Sequence, residues 1–411
     1  MEEPSRVPTR RLRWMDAVWP AAILVAAGIV VGVPVHAPSA PSAIPPTVLS
    51  VPSSTPAVFV SSTVPVVDAS QSASTTVVHV PMPSEVRGIY WTAWTAGSQH
   101  GQDLLSYMTK TGLNAVVIDL KVDDGELAFE PHDASLTPYV QKSKAMPKLD
   151  VLLAQLAQKH IYRIARIFVM RDGAFGTIHP EDALHTKTGG IWKDNTGTPW
   201  LDPAAPAVAQ YALALGKEAY ARGFDEVQYD YVRFPSDGPL TGIVYPVYDG
   251  KESKVTVMQD FFNTVGGGLQ KEHIPVSFDL FGMTFWKTDD FGIGQRLQDV
   301  LPVANAVSPM AYPSHYPNGF QGFANPADHP YDIVNQTLNE GAKLIESESS
   351  STSDKTLRST FRPWIQDFNI GAFYTAPLVE AEIKAARDAG ASGFLIWNAR
   401  NVYTTADYLK K

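Results

Sequence analysis

Two aspartates near the ends of β-rich segments give this sequence its clearest indication of chemistry. Asp230 lies in the segment 226–234 and Asp279 in the segment 275–282. Successive side chains of a strand point to opposite faces, so Asp230 shares a face with Gln228, and Asp279 shares one with Ser277. Two carboxyl groups at the same height on adjacent strands are what hydrolysis of a glycosidic bond requires, one as acid and the other as nucleophile or base. We therefore predict that Asp230 and Asp279 are catalytic.

Further charged residues near strand ends are candidates for orienting a substrate. Asp119, Arg233 and Asp367 are predicted to bind it, and Arg233 together with Arg166 can keep neighbouring carboxylates ionised. Asp119 has an alternative role as partner of Lys121, which shares its strand face. A single aspartate at a strand end often only caps a turn or helix, whereas the pair formed by Asp230 and Asp279 favours function.

Aromatic residues fall at the same strand ends and in the loops that follow them. Their flat apolar faces with polar edges suit stacking on sugar rings. Trp192 and Trp200, in a loop rich in Gly, Asp, Asn and Thr, are predicted sugar subsites, whereas Trp364 and Trp397 are predicted packing residues. The remaining predicted substrate-binding residues are Trp91, Tyr312 and His315.

Alternating strands and helices must position these side chains. Eight β-rich segments are predicted as strands, at 86–94, 115–122, 162–170, 226–234, 275–282, 306–314, 362–368 and 393–399. Between them lie segments with helical periodicity, so the pattern predicts the α/β class and a (β/α)₈ TIM barrel, with the site at the carboxyl ends of the strands. Long loops at 171–202 and 235–255 are expected to wall one side of a cleft. An open doubly wound sheet is the alternative, but no Gly-rich phosphate-binding turn follows the first strand.

Composition narrows the class of partner. The chain has 411 residues with 33 Lys+Arg and 42 Asp+Glu, and the resulting net charge of −9 argues against nucleic acid as a partner. Cysteine is absent, which excludes disulfides and thiolate chemistry. Metal-binding histidine motifs are missing too, so we expect neither a metal nor a cofactor. The sequence does not indicate an oligomeric state.

The N-terminal segments predict export. Residues 1–16 contain four arginines, and the uncharged run 17–35 is long enough to be a transmembrane helix. The positive-inside rule then leaves residues 1–16 in the cytoplasm and the rest of the chain outside the cell membrane. A cleaved signal peptide followed by secretion is the second choice. Residues 36–85, rich in Pro, Ser and Thr, are predicted to be a disordered linker, and residues 86–411 form the barrel domain.

Four segments resemble a bacterial family of glycoside hydrolases with alpha-amylase-like barrel relatives. They are residues 200–203, 223–236, 308–316 and 362–368, and the resemblance extends from residue 86 to the C-terminus. It implies a barrel fold and cleavage of O-glycosidic bonds. Alpha-amylase-like barrels place an aspartate nucleophile at the end of strand four, which matches Asp230. Their acid/base is a glutamate at the end of strand five, where this sequence has Asp279, and Gln228 replaces an arginine of those enzymes.

These observations leave two functions open. The first is a membrane-anchored, extracytoplasmic glycoside hydrolase that cleaves a polysaccharide or oligosaccharide with Asp230 and Asp279. The alternative is a non-catalytic barrel that binds cell-wall or capsule polysaccharide through its tryptophan-bearing loops.

Overall fold

The computed structural model describes residues 77–348, 358 and 360–410. The predicted cytoplasmic segment, the predicted membrane segment and linker residues 36–76 lie outside the described residues. Within the part of the chain that is described, no helix has both the length and the apolar character of a membrane span.

Eight parallel strands close into a barrel, which confirms the predicted architecture and rules out the open sheet. In chain order, each strand pairs with its sequence neighbours, and the first pairs with the last. The strands are β1 (Val86–Trp91), β2 (Ala115–Asp119), β3 (Tyr162–Phe168), β4 (Glu226–Asp230), β5 (Val276–Phe281), β6 (Ala306–Met310), β7 (Trp364–Gln366) and β8 (Gly393–Trp397).

Helices surround the barrel in the intervals that sequence periodicity indicated. The longer ones are α1 (Gln99–Thr111), α2 (Leu149–Gln158), α3 (Pro206–Arg222), α4 (Lys254–Lys271), α5 (Pro330–Glu348) and α6 (Ala376–Asp388). In α3, Pro206 occupies the first turn, where its missing N–H has no cost, and Gly223 ends the helix with φ of +113°. Both signals are readable in the sequence.

Alternation along each strand separates two layers of side chains. Ile89, Val116 and Val227 point outward and join the large core beneath the helices. Val86, Val117 and Leu395 point inward and form a smaller core inside the barrel. The strands end earlier than predicted. β4 stops at Asp230 because Tyr231 adopts a left-handed conformation with φ of +52°, which breaks the extended backbone.

Polar side chains also occupy the barrel interior below the level of Asp230. Arg362 forms a buried ion pair with Glu226, whose carboxylate also accepts hydrogen bonds from Tyr162 (3.1 Å) and Ser277 (2.5 Å). Arg362 and Glu226 are both 0 % exposed. Such a pair stabilises the fold only while both charges remain, because removal of one leaves an uncompensated charge in a dry interior.

The described chain begins at the end of the barrel opposite Asp230. Val80 N–H donates to Asp225 (2.7 Å), and Arg163 donates to the Val78 carbonyl (2.8 Å). The His79 ring stacks on Tyr220 with the ring centroids 4.0 Å apart. Asp225 and Arg163 are joined by a buried ion pair of 2.5 Å. Residues 77–80, which belong to the predicted linker, are therefore held against the barrel and do not form part of a free tether.

The two long loops predicted to wall a cleft pair with each other. Two-residue strands, His185–Thr186 after β3 and Ile243–Val244 after β4, form an antiparallel pair. Asp202 adds a second link by accepting hydrogen bonds from Val247 N (2.8 Å) and Tyr248 N (2.9 Å). These contacts make the loops one continuous wall at the carboxyl ends of the strands.

We expect Glu226→Gln to destabilise the protein by about 3–5 kcal/mol, because Arg362 would keep its charge without a carboxylate. Chemical denaturation at neutral pH measures this. Glu340→Gln is the matched control, since it disrupts the exposed Glu340–Lys343 pair and should cost less than about 1 kcal/mol. Equal unfolding midpoints for the two variants would show that the interior pair does not support the barrel.

Candidate active site

One guanidinium group organises the carboxylates at the carboxyl ends of the strands. Arg166, on β3, donates through Nη1 to Asp119 Oδ1 (2.6 Å) and through Nη2 to Asp230 Oδ2 (2.5 Å). Its Nε lies 3.7 Å from Asp279 Oδ2. We refer to Arg166, Asp119, Asp230 and Asp279 as the Arg166 cluster. The structure therefore brings together the two predicted catalytic aspartates and the predicted substrate-binding residue Asp119.

Strand register explains why these side chains meet. Asp119 and Arg166 are paired positions of β2 and β3, and Tyr229 and Phe278 are paired positions of β4 and β5. Asp230 and Asp279 are the next residues along β4 and β5, so both carboxylates sit at one level of the closed barrel and point inward. The prediction that they share a face with Gln228 and Ser277 agrees with the burial of all four side chains inside the barrel.

Other hydrogen bonds fix the remaining carboxylate oxygens. Tyr90 donates to Asp119 Oδ2 at 2.5 Å, and Trp364 Nε1 donates to Asp279 Oδ1 at 2.8 Å. Asp230 Oδ1 accepts the N–H of Tyr231 at 2.6 Å. The left-handed backbone at Tyr231 is a costly conformation for a bulky residue, and here it follows the carboxylate whose orientation it helps to fix.

The electrostatic environment differs among the carboxyl groups. Burial and the nearby Asp230 charge raise the pKa of Asp279 well above its usual value, against a smaller lowering by Arg166. Burial also raises the pKa of Asp119, while Arg166 and Tyr90 lower it. Asp279 is 1 % exposed and Asp230 is 7 % exposed, so Asp230 is the more open of the two. Asp279 Oδ2 has no hydrogen-bond partner among the described residues, a state that a protonated carboxyl tolerates better than a carboxylate.

Aromatic rings enclose the cluster on the β1 and β8 side. The rings of Tyr90 and Trp397 stack with their centroids 4.1 Å apart. The Arg166 guanidinium lies 5.5 Å from the first centroid and 5.1 Å from the second. Trp364, predicted as packing, is buried but holds Asp279, and Trp397, also predicted as packing, is partly exposed beside Arg166. The sequence analysis did not select Tyr90. Its position two residues after Gly88 and four after Val86 nevertheless places it on the inward face of β1.

Tyr312 and His315 lie on the far side of the cluster, after β6. Tyr312 belongs to the small core inside the barrel. Burial and the charges of Asp279 and Asp230 raise the pKa of its phenol well above the usual value. Burial lowers the pKa of His315 to about 4, so its imidazole is neutral at neutral pH. The His315 ring contacts Tyr312 and Phe368, with centroids 5.2 Å and 5.8 Å away.

Three tryptophans predicted to contact substrate are sealed inside the protein. Trp91 is 0 % exposed and points outward from β1 into the core beneath the helices. Trp192 is also 0 % exposed and donates to the Pro239 carbonyl, whereas Trp200 is 1 % exposed and donates to Asp194. The structure therefore corrects these predictions, since none of the three rings presents a face to a sugar; Trp192 and Trp200 instead support the loop wall from inside.

Asp367 and Lys121 also differ from expectation. Asp367 follows the last inward residue of β7 and accepts hydrogen bonds from Thr404 N (2.7 Å) and Thr404 Oγ1 (2.6 Å), so it anchors the C-terminal segment and does not face the cluster. Lys121 pairs with Asp172 at 2.5 Å and not with Asp119, which rules out the alternative structural role considered for Asp119.

Arg233 lies beside the cluster without joining it. Its guanidinium is 4.5 Å from the Phe281 ring centroid and 4.9 Å from that of Trp200. Its Nη1 donates to the Phe234 carbonyl (3.2 Å) and to Ser236 Oγ (3.0 Å). Arg233 therefore does not act as a direct counter-charge to Asp230.

A possible metal-ligand group lies outside the cluster. His179, Glu181 and Asp182 have ligand atoms within 4.8 Å of one another. His179 is already engaged, since Tyr139 lies 2.9 Å from its Nε2 and Glu181 lies 3.3 Å from its Nδ1. Exposed groups of this kind are common on protein surfaces, and this one has no connection to the Arg166 cluster.

Comparison with known proteins agrees with the geometry. A family model described as "Putative glycosyl hydrolase domain" matches residues 88–403. The glycoside hydrolase domain of PgaB (BpsB) from Bordetella bronchiseptica aligns with a TM-score of 0.51 and 14% identity, over 76% of this chain and 94% of that one. A hypothetical protein from Ruminiclostridium thermocellum ATCC 27405 is 28% identical over 50% of this chain and 98% of its own, with a TM-score of 0.41. No curated protein matches significantly. The PgaB likeness concerns the fold.

We expect Arg166→Met to lower the free energy of unfolding by about 3–5 kcal/mol at pH 7, because it strands buried carboxylates. The pKa values of Asp119 and Asp279, already raised by burial and lowered by Arg166, would rise further, so the variant should recover stability as the pH falls toward 5. Denaturant titrations at both pH values test this. Lys251→Met, which removes the exposed pair of Lys251 with Asp249, should change little at either pH. A pH-independent loss for Arg166→Met would contradict the electrostatic account.

Proposed function

We propose that this chain, which belongs to the glycosyl hydrolase family whose model it matches, cleaves its substrate at the Arg166 cluster, with Asp230 and Asp279 as the catalytic pair. The observation that carries the assignment is the single guanidinium of Arg166, which bonds Asp230 and lies 3.7 Å from Asp279 at the carboxyl ends of the barrel strands. Active sites of TIM-barrel enzymes lie at this end.

Asp230 suits the role of nucleophile or general base. Arg166 Nη2 donates to one of its carboxylate oxygens and the N–H of Tyr231 to the other. These hydrogen bonds fix the plane of the carboxylate, so that little reorganisation precedes attack on the anomeric carbon or on a water molecule. Resemblance to alpha-amylase-like barrels supports the same assignment, because their nucleophile ends strand four.

Asp279 suits the role of general acid. Burial and the Asp230 charge keep its carboxyl group protonated to higher pH, as donation to a leaving oxygen requires. The arrangement is self-consistent, because the ionised partner maintains the protonation of the acid. Asp279 is also the less exposed of the two, at 1 % against 7 % for Asp230. Asp119 then orients Arg166 through its own ion pair.

The sequence supports a specific setting for this activity. We propose that the substrate is a polysaccharide or oligosaccharide outside the cytoplasm, and that the chain is attached to the cell membrane through residues 17–35. Support comes from the basic residues that precede this uncharged run and from the Pro-, Ser- and Thr-rich segment that follows it. If residues 17–35 were instead cleaved off as a signal peptide and the rest of the chain secreted, the proposed chemistry would be unchanged.

We expect Asp230→Asn and Asp279→Asn each to reduce kcat at least about a hundredfold, because each removes a group that moves a proton or attacks the sugar. Release of reducing ends from a panel of wall and storage polysaccharides measures the loss. Asp388→Asn, at an exposed position at the end of α6, should keep full activity. Asp119→Asn should lose less than either catalytic variant; a larger loss would transfer the acid role to Asp119.

The same variants separate hydrolysis from binding alone. If the wild-type protein binds a polysaccharide and releases no reducing ends under any condition, the barrel is a carbohydrate-binding module and the catalytic assignment is wrong. If turnover is present, Asp230→Asn should retain binding of that polysaccharide within about threefold while turnover is lost, since an amide replaces the carboxylate at the same size.

Trp364→Phe should move the alkaline limb of the pH–activity profile to higher pH. The indole N–H stabilises the charged form of Asp279, so its loss should raise the pKa of the acid further. Asp279 would then stay protonated over a wider range. A profile of kcat against pH for wild type and variant measures the shift. Trp286→Phe, which removes a hydrogen bond to Thr337, is the matched control and should leave the limb in place. A shift to lower pH would exclude Asp279 as the acid.

A further inference from the structure

Arg233 occupies an unusual position at the edge of the proposed active site. It follows β4 by three residues and is 5 % exposed. Its guanidinium lies over Phe281, which is two residues beyond Asp279 and therefore on the same face of β5, nearer the open end of the barrel. Trp200 contacts the guanidinium as well. The charge of Arg233 is thus held between aromatic rings immediately above the level of the catalytic pair.

Only one nitrogen of this guanidinium is satisfied by the protein. Nη1 donates to Phe234 O and Ser236 Oγ, whereas Nε and Nη2 find no acceptor among the described residues. Neither atom is sealed from solvent, in contrast to Nε of Arg166, which is buried without a hydrogen-bond partner. Nε and Nη2 form one edge of the guanidinium plane, and this edge makes two parallel hydrogen bonds with a carboxylate.

The positive charge of Arg233 also lacks a direct counter-ion. No carboxylate among the described residues lies within the 4.0 Å limit of an ion pair. Other buried arginines differ, since Arg163 pairs with Asp225, Arg166 with three aspartates and Arg362 with Glu226. Burial lowers the pKa of Arg233 despite the more distant charges of Asp230 and Asp237. A buried charge without a direct counter-ion is costly, and a carboxylate on a ligand would remove that cost.

We propose that the free edge of Arg233 binds the carboxylate of a uronic acid residue in the substrate, next to the bond that the catalytic pair cleaves. This inference rests on the proposed function and names its substrate class. A carboxylate on a pyranose ring can form both hydrogen bonds of the open edge and neutralise the charge, whereas a neutral sugar hydroxyl can do neither fully. Phe281 and Trp200 hold the guanidinium plane in place, so the carboxylate is met by a preorganised site.

Matched pairs of carbohydrates test the proposal. The probes are oligosaccharides of polygalacturonate and of hyaluronan, each compared with its carboxyl-reduced form, in which every uronic acid has become a neutral hexose. Calorimetry on the whole protein should show at least tenfold tighter binding of the charged form for one of the two probes. In Arg233→Gln this preference should fall below threefold while the reduced form binds as before. Arg233→Lys should keep only part of the preference, because an ammonium group cannot form the paired hydrogen bonds.

Several results would overturn the inference. Equal binding of the charged and carboxyl-reduced forms would do so. Failure of both charged probes to bind would do so too, as would a preference for the charged form that is retained in Arg233→Gln. Sulfated galactose oligosaccharides provide a further comparison, and equal preference for them would exclude recognition of a carboxylate specifically. Hydrolysis of a neutral polysaccharide without any charge preference would overturn this inference alone and leave the catalytic assignment standing. Unfolding midpoints of the variants establish that each is folded.

Discussion

The placement of one arginine inside a closed barrel is the constraint on which the site depends. Arg166 lies on β3, between the strands that carry Asp119 and Asp230, and reaches toward the strand that carries Asp279. Without Arg166, carboxylates at such short separations would repel one another, because the buried interior screens charges poorly. Shared attraction to one fixed cation lets them remain near each other, while the incomplete contact with Asp279 leaves that group with a raised pKa. The closeness of the carboxyl groups and the raised pKa of Asp279 therefore have the same cause, which is the position of Arg166.

The interior beneath the cluster supports this arrangement. Gln228 donates to Ser308 at 3.1 Å one layer below Asp230, and the Glu226–Arg362 pair lies one layer further down. A barrel core is commonly filled with branched apolar side chains, so successive polar layers are a departure from the usual packing. Each polar group needs a partner at a defined height. The layers therefore fix strand register, which in turn sets the height of Asp230 relative to Asp279.

The sequence was informative wherever periodicity alone decides the outcome. The eight strands and the start and end signals of α3 follow from local patterns, and the inward direction of Asp230 and Asp279 follows from the two-residue repeat. Side-chain partners are different, because they depend on residues distant in the chain. Trp364 binds Asp279 across 85 positions, and nothing in its own segment distinguishes it from a packing residue. Trp192 and Trp200 look exposed in a polar loop, yet the pairing of that loop with the loop after β4 buries them.

The contacts of residues 77–80 have a mechanical consequence. The described chain meets the barrel at Asp225, Arg163 and Tyr220, on the face remote from the carboxylates, before it enters β1. Tension applied to the N-terminal segment is carried first by these hydrogen bonds and by the stacked His79 ring, so β1 is not peeled from β2 and β8 while they hold. A load from that direction therefore reaches β1, and with it the closed sheet that holds the carboxylates, only after these contacts have broken.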